Sequence, residues 1–455
     1  MENINFEELL EQKDYEEIIK ICEEKHPAEI ADLISGLTPK QIWKILLKID
    51  TAIRSEIFGH IPLESQLLIT ETLSRRALSQ IFTDMSPDDR VDLFKKLPKE
   101  IQDQLIPGLA QAEREDILKL SSYPEKTAGS VMTSEYVALF SHYTVSDAIE
   151  TIRKEAPDKE TIYYAYIIDQ DRKLIGFVSL KDLILSKPTL KLNEVMHQDL
   201  VSCLVTEDQE DAARKLQKYD LLAIPVIDDN NTLLGIITHD DAIDVITQEQ
   251  TEDIEKLMAI AGSHEAMSYL KKSAWTHFKD RSIWIVVLAI VGLIPGMIIH
   301  HFENTLVTLM LLALYMPMMA NTGGNSGNQA ATVIVRALSL KEVSHKDFFN
   351  VLYKELRISL MLAGVLALLI GAKILFFTSV ATIPESLSLT KIAFAISLGL
   401  SLQVVTATLI GSMLPLIASK LKLDPAIIAN PVLTTVVDIT GLLLYFNAAR
   451  IILGI

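Results

Sequence analysis

Apolar positions change rhythm three times along the chain. Up to about residue 125 they recur at helical spacing in short segments, as in IWKILLKI (42–49) and VDLFKKL (91–97), which predicts amphipathic helices. Thr38-Pro39, Ser86-Pro87 and Leu97-Pro98 punctuate these segments, the first two with a capping hydroxyl ahead of a proline at the first helical position. The pattern predicts an all-α stack of helix pairs over 1–125. From 126 to 248, helical and strand-like runs alternate and repeat. Val131-Met132 returns as Val195-Met196 and Asp147-Ala148 as Asp211-Ala212, both 64 residues on, while Gly176 returns as Gly235 after 59. The second copy has lost five residues near Pro157. Each copy predicts a helix, a strand, a polar turn, a strand through the glycine and a closing helix. Residues 249–280 carry acids first and bases last, as a long helix prefers, with Leu257, Met258, Ala261 and Leu270 as its packing face.

Beyond 281 the apolar runs become continuous. A bilayer core of about 30 Å needs roughly 20 apolar residues per helix, and five spans are expected, near 282–301, 305–336, 356–378, 391–420 and 426–453. Two exceed a minimal span, so tilt or kinks are expected. The predicted fold is therefore multi-domain: an all-α N-terminal domain (1–125), an α/β pair (126–248), a connecting helix (249–280) and an all-α membrane domain of five helices (281–455).

Charge sharpens this division. The 455 residues carry a net −17, but residues 281–455 hold 7 acids against 11 bases, leaving 52 acids and 31 bases in the first 280. So acidic a front argues against nucleic acid as a partner. Cations concentrate before the first span (Lys271, Lys272, Lys279, Arg281), in the second connection (Arg336, Lys341, Lys346, Lys354, Arg357) and in the fourth (Lys420, Lys422). The positive-inside rule then places the N-terminal 280 residues in the cytoplasm and the C-terminus outside, in the cell (inner) membrane. Cys22 and Cys203 are too few for a disulfide framework and fit a reduced compartment. The acidic MENINFEELLEQKDYEE start is not a signal peptide.

The chemistry lies where polar residues interrupt the apolar runs. Asp438 falls well inside the fifth span, where a carboxylate costs several kcal/mol unless it meets water, a partner or an ion. Asn430, Thr434 and Asp438, at i, i+4 and i+8, share a helix face with Thr435 beside them, and Pro431 frees a carbonyl one turn back. Carboxylate, amide, hydroxyl and carbonyl are all hard ligands. A protonated Asp438 bonded to a neighbouring helix is the purely structural alternative. The second span contributes MPMMANTGGNSGNQAATVIVRAL (316–338), with Pro317 as a kink and Gly323, Gly324, Gly327, Asn321, Asn325, Asn328 and Gln329 as a small, polar stretch. Such residues either glue helices together or line a hydrated path; Pro317, Gly327, Asn328 and Thr435 are the candidate pore-lining positions.

The repeat resembles a tandem pair of cystathionine-β-synthase (CBS) domains, a module that often binds adenine nucleotides. Ser179-x-x-Asp182 and Thr238-x-x-Asp241 match its ribose-contacting pattern, although Ser/Thr-x-x-Asp after a strand serves equally as a helix cap. The whole chain, through YPEKTAGSVM, PMMANTGGNSGNQAA and NPVLTTVVD, resembles the MgtE family of magnesium channels. That resemblance implies a homodimer with its pore on the two-fold axis, Mg²⁺ as substrate and regulator, ATP as a ligand of the CBS pair, and Asp438 as principal pore ligand with Asn430 and Thr434 beside it. It also implies a cytosolic Mg²⁺ sensor. By resemblance and position its candidate ligands are Asp88 and Asp92 in the N-terminal domain, Asp208, Glu210 and Asp220 in the second CBS copy, Asp241, Asp244, Glu249, Glu252 and Asp253 along the connecting helix, and Asp424 at the cytoplasmic mouth. Two rival readings are an ion-coupled divalent-cation carrier, against which the lack of an inverted repeat argues, and a membrane-anchored nucleotide sensor that transports nothing. No nucleophile–base pair, phosphate-binding glycine loop or zinc pattern suggests an enzyme.

Overall fold

The computed structural model describes residues 6–260, 273–378, 383, 387–429 and 431–454. Ala261, Leu270 and Asn430 lie outside the described residues. The chain divides into two compact units, Met1–Glu249 and Gln250–Ile455.

The first unit opens with ten short helices: α1 (Phe6–Gln12), α2 (Tyr15–Glu24), α3 (Pro27–Ile34), α4 (Pro39–Leu46), α5 (Thr51–His60), α6 (Leu63–Thr70), α7 (Arg75–Asp84), α8 (Pro87–Lys96), α9 (Lys99–Leu105) and α10 (Gln111–Ser121). From α3 onward each packs on the helix two positions along: α3 on α5, α4 on α6, α5 on α7, α6 on α8, α7 on α9 and α8 on α10. The prolines act as their spacing predicts. Pro39 and Pro87 open α4 and α8 behind Thr38 and Ser86. Pro98 instead takes the cap position of α9. Buried amides close the helix ends, which otherwise leave carbonyls unpaired: Gln66 donates to the Phe58 and Ile61 carbonyls, and Gln102 to those of Phe94 and Leu97.

The two CBS copies form two three-stranded sheets. In the first, β1 (Val137–Phe140) pairs parallel to β2 (Tyr164–Ile168), which pairs antiparallel to β3 (Leu174–Ser179). In the second, β4 (Cys203–Leu204), β5 (Ala223–Ile227) and β6 (Leu233–Thr238) repeat that order. Helices α11 (Val145–Glu155), α12 (Leu180–Leu185), α13 (Leu192–Val195) and α14 (Gln209–Lys218) flank the strands. The leading strands β1 and β4 are additions to the expected pattern; at four and two residues they are too short to show a period.

The repeated motifs meet crosswise, which explains both. A Cβ at Gly176 would stand 2.7 Å from the His197 carbonyl and 3.0 Å from the Met196 sulfur; one at Gly235 would stand 2.7 Å from the Thr133 carbonyl and 2.8 Å from the Met132 sulfur. Each copy's glycine thus receives the Val-Met segment that begins the other copy, with bridges Phe177–His197 and Thr133–Ile236. Gly235→Ala should cost about 1–3 kcal/mol through overpacking, read as a lowered thermal midpoint; an unchanged midpoint would contradict this packing account.

Helix α15 (His239–Leu257) leads out of the first unit. The second unit contains α16 (Ala274–Val291), α17 (Leu293–His301), α18 (Glu303–Thr308), α19 (Leu311–Ser339), α20 (Phe348–Phe377), α21 (Leu389–Lys420), α22 (Pro425–Ala429) and α23 (Pro431–Leu453). Four stretches are long and apolar enough to cross a membrane: Ala274–His301, His345–Phe377, Leu389–Lys420 and Val432–Leu453. The second expected span falls mainly in α19, a 29-residue helix whose NTGGNSGNQ stretch makes it too polar to qualify by composition. Helix α21 is the hub, packing on α19, α20 and α23. Around it, Tyr315, Met319, Ile396, Leu400, Tyr445 and Phe446 form a buried core, and the Tyr445 hydroxyl donates to the Leu312 carbonyl at 3.0 Å.

Candidate functional site

The intramembrane site is built on the α19–α21–α23 packing. Along α23, Leu433, Val437 and Tyr445 are buried on one stripe at i, i+4 and i+12, with Gly441 completing it. Its neighbours across the interface are Ala407 (with Leu433 and Val437), Gln403 (with Gly441) and Gly399 (with Tyr445), running antiparallel along α21. Small residues permit the approach: a Cβ on Gly411 would lie 2.2 Å from the Gly327 carbonyl, and Ser326 and Thr408 hydrogen-bond at 2.7 Å. Polar side chains thus find partners across the helices, as expected where no water can serve them.

Thr434 and Asp438 occupy the stripe next to this buried one, and with Thr435 they are partly exposed. Asp438 has no ion pair and no side-chain hydrogen bond among the described residues. The fourth position of the expected face, Asn430, lies outside the described residues. On α19, Gly327 is committed to packing, its Cβ position facing the Ala407 carbonyl, Leu433 and Val437. Pro317 is exposed, and Asn328 is half-buried with Oδ1 lacking a hydrogen-bond partner. Asn321, Asn325 and Gln329, at i, i+4 and i+8, are exposed on the single chain, with Asn325 donating to Asn321 at 3.1 Å.

A second acid was missed within these helices. Glu355 falls just before the expected third span, but α20 begins at Phe348 and buries it, at 8 % exposure. Glu355 is therefore more deeply buried within the chain than Asp438, which is partly exposed.

In the first unit, the N-terminal helices and the CBS pair bring carboxylates together. Asp241 of α15 is pushed up to about 8, first by burial and then by the charge of Asp88 on α8. Burial followed by Asp88 raises Asp89 and Glu160 each to about 7, and burial raises Asp92 to about 6 against the pull of Lys95. Glu135 is raised by burial, partly offset by Arg90 and reinforced by Asp88. Asp244 is raised by burial and Asp240. Like charges so placed raise one another's affinity for protons; among the described residues no three of these acids converge closely enough to hold a metal ion as they stand. Of this group, Asp88, Asp92, Asp241 and Asp244 were expected from the sequence; Asp89 and Asp240 stand beside them on α8 and α15, while Glu135 and Glu160 come from other segments with no shared spacing to reveal them.

The other candidate sensor acids serve local roles. Asp208 caps α14 through the Glu210 amide at 2.8 Å, Glu210 pairs with Arg214, and Asp220 is exposed at a left-handed position (φ 50°). Glu249 accepts from Gln209 at 2.7 Å. In the second unit Asp253 accepts from Ser339 at 3.3 Å. Lys256 Nζ lies 2.6 Å from both Glu252 and Asp424; burial lowers its affinity for a proton, but Asp424 and Glu252 together hold it above its ordinary value. Asp424 also caps α22 through the Ala426 amide at 2.9 Å.

The CBS hydroxyl–carboxylate pairs are both helix caps. Ser179 donates from Oγ and from its backbone amide to Asp182, whose amide donates back to Ser179 Oγ, and Asp182 also meets His197 Nε2 at 3.1 Å. Thr238 Oγ1 donates to Asp241 in the same manner.

Comparison with known proteins places these features in one family. The MgtE description, "Divalent cation transporter", matches residues 316–448, the MgtE intracellular N domain 25–126, and CBS domains 128–187 and 192–248. The "Magnesium transporter MgtE" of Thermus thermophilus is 33 % identical over 457 residues, 99 % of this chain and 98 % of its own. The chain belongs to the MgtE family. The MgtE of Bacillus subtilis is 32 % identical over 94 % of this chain and 92 % of its own. The soluble part of a magnesium transporter, solved by crystallography, is 30 % identical with a TM-score of 0.50, covering 54 % of this chain and 96 % of that one. The cytosolic domain of the Mg²⁺ channel MgtE, solved in complex with ATP, is 33 % identical with a TM-score of 0.50, covering 53 % of this chain and 98 % of that one. In this MgtE chain, then, the acids stand in three settings: those around Asp88, the triplet around Lys256, and Asp438 of α23, which has no side-chain partner among the described residues.

Proposed function

We propose that this chain forms a Mg²⁺ channel in the cell membrane that cytosolic Mg²⁺ closes. The observation that carries the reading is Asp438: a carboxylate in the middle of a membrane helix, turned away from the packed stripe and given no counter-ion among the described residues. Such a group is stable where it meets water or a cation. Two copies related by a two-fold axis would set two Asp438 carboxylates across one pore. The uncovered Asn321–Asn325–Gln329 face supports this assembly, since amides facing lipid are costly and a hydrated path between two copies would serve them. Mg²⁺ sheds its waters reluctantly and wants octahedral oxygen, so few charges, with Thr434 and Asn430 nearby, suffice to hold it through its hydration shell. Passage makes and breaks no covalent bond, and no enzymatic step is assigned.

In this reading the N-terminal 280 residues face the cytoplasm and the C-terminus faces outside. The Asp88 cluster is the sensor: a divalent ion there takes the place of the protons that burial holds on Asp241, Asp89 and Glu160. An adenine nucleotide at the CBS pair is proposed by likeness to the ATP-bound cytosolic domain; Ser179, Asp182, Thr238 and Asp241 would contact it while keeping their capping bonds.

Recording from the purified protein in bilayers with cytosolic-side Mg²⁺ varied tests the function. Unitary currents that close as Mg²⁺ rises are expected. Flux without unitary currents would favour the coupled carrier, and no flux would leave the non-transporting sensor.

The cluster makes a separate pH prediction. Its carboxyls titrate at about 6 to 8 in the fold against roughly 4 when unfolded, so the folded form binds more protons. Its stabilisation is full below about pH 4 and lost as pH rises through 6 to 8. Without divalent ions, limited proteolysis of the N-terminal domain should quicken between pH 6 and 8.5, and Mg²⁺ should restore protection at 8.5. Equal cleavage in all conditions would refute the sensor assignment.

A further inference from the structure

The centre of the membrane unit holds a polar side chain that packing alone does not explain. Gln403 of α21 is fully buried. Its Nε2 donates to the Val437 carbonyl of α23 at 3.1 Å, while its Oε1 is buried without a hydrogen-bond partner among the described residues. The amide is clamped between two glycines of other helices. A Cβ on Gly323 of α19 would fall 2.1 Å from Nε2, and one on Gly441 of α23 would fall 2.1 Å from Oε1. Any side chain at either position would expel the amide. An apolar residue of similar length would fill this slot without leaving a buried acceptor unpaired, so the retained amide points to a task for its donor.

That donor grips the carbonyl immediately before Asp438. Successive residues of a helix are turned by about 100°, so fixing the Val437 carbonyl fixes the rotation and height of α23, and with them the direction of the Asp438 side chain. We propose that Gln403 is a positioning residue that pins α23 so that the Asp438 carboxylate is presented to the cation in one orientation. The proposal rests on Asp438 being the pore ligand. Its consequence is selectivity: Mg²⁺ demands near-ideal octahedral geometry, whereas Ca²⁺ accepts six to eight ligands in flexible arrangements. A loosened Asp438 therefore harms Mg²⁺ more than Ca²⁺.

The test uses full-length protein in planar bilayers. Gln403→Met keeps the length and loses the donor; Gln403→Asn keeps an amide one methylene short of Val437. Both should raise the Mg²⁺ concentration for half-maximal current and shift the Ca²⁺-to-Mg²⁺ permeability ratio toward Ca²⁺ by about three- to tenfold, the worth of one hydrogen bond, while maximal current stays within about twofold. Should Gln403→Met not assemble, Gln403→Asn is read alone. Fewer active channels with wild-type ratio and half-saturation would mean a packing role only and overturn the proposal. Asp438→Ala, run alongside, separates the two readings: full Mg²⁺ current in that variant removes the pore assignment itself. Loss of current there, together with an unchanged ratio in the Gln403 variants, removes only the role of Gln403.

Discussion

Asp438→Ala should abolish Mg²⁺ flux, lowering it about a hundredfold or more, while the protein should still assemble as wild type does on size-exclusion chromatography. The magnitude follows from placing a divalent ion in a membrane without its counter-charge: the lost interaction is several kcal/mol, and about 2.7 kcal/mol already corresponds to a hundredfold in rate. Assembly survives because Asp438 lies outside the packed stripe of Leu433, Val437 and Tyr445 and makes no side-chain hydrogen bond or ion pair among the described residues. Asp438→Asn preserves the shape and loses the charge, so it should also conduct poorly. Uptake of Mg²⁺ into proteoliposomes at wild-type rate by either variant would refute the pore reading.

The second large effect is expected at Lys256→Met. The ammonium of Lys256 joins Glu252 on its own helix to Asp424 at the start of α22, both at 2.6 Å, and Leu257 beside it packs against a core that includes Ala331, Ala426, Leu433 and Val437. The end of α15 is thus tied to the helices of the proposed pore without any divalent ion. Removing one partner of a buried ion pair costs about 3–5 kcal/mol; Asp424 keeps 31 % side-chain exposure, so solvent screening places the effect toward the lower figure. Lys256→Met should therefore raise the open probability at vanishing Mg²⁺, while closure at high Mg²⁺ persists because the ion can bridge the two bared carboxylates. The charge swap Lys256→Asp with Asp424→Lys should restore the resting closure. Patch recordings with the same open probability as wild type at zero Mg²⁺ would show that this latch does not gate.

Three features of the sequence were legible because they are periodic. The helical stack, the CBS repeat and the long apolar helices each carry a spacing of 3.6, a displacement of about 60 or a run of about 20, and local physics enforces all three. The failures fall where spacing is short or polarity mixed. β1 and β4 are too brief to show alternation, and Glu355 sits at a helix start that a hydropathy edge misplaces by eight residues. α19 is long but too polar in composition to qualify as a span, because the glycines that pack it on α21 and the exposed amides Asn321, Asn325 and Gln329 dilute its apolar character.

The candidate sites divide the same way. Asp438 declared itself as a carboxylate amid apolar residues, and that needed no neighbour to see. Asp89 and Asp240 adjoin Asp88 and Asp241 in the chain, but Glu135 and Glu160 come from a strand margin and a loop, so no interval along the chain groups them with Asp88. Nor could Lys256 be recognised as the cation already seated between Glu252 and Asp424, 168 residues further on. Local periodicity and the cost of a charge in a membrane determine which elements form and which acid is exceptional. Which charges face one another is decided by long-range packing, because electrostatic pairing depends on distance in space and carries no period in the chain.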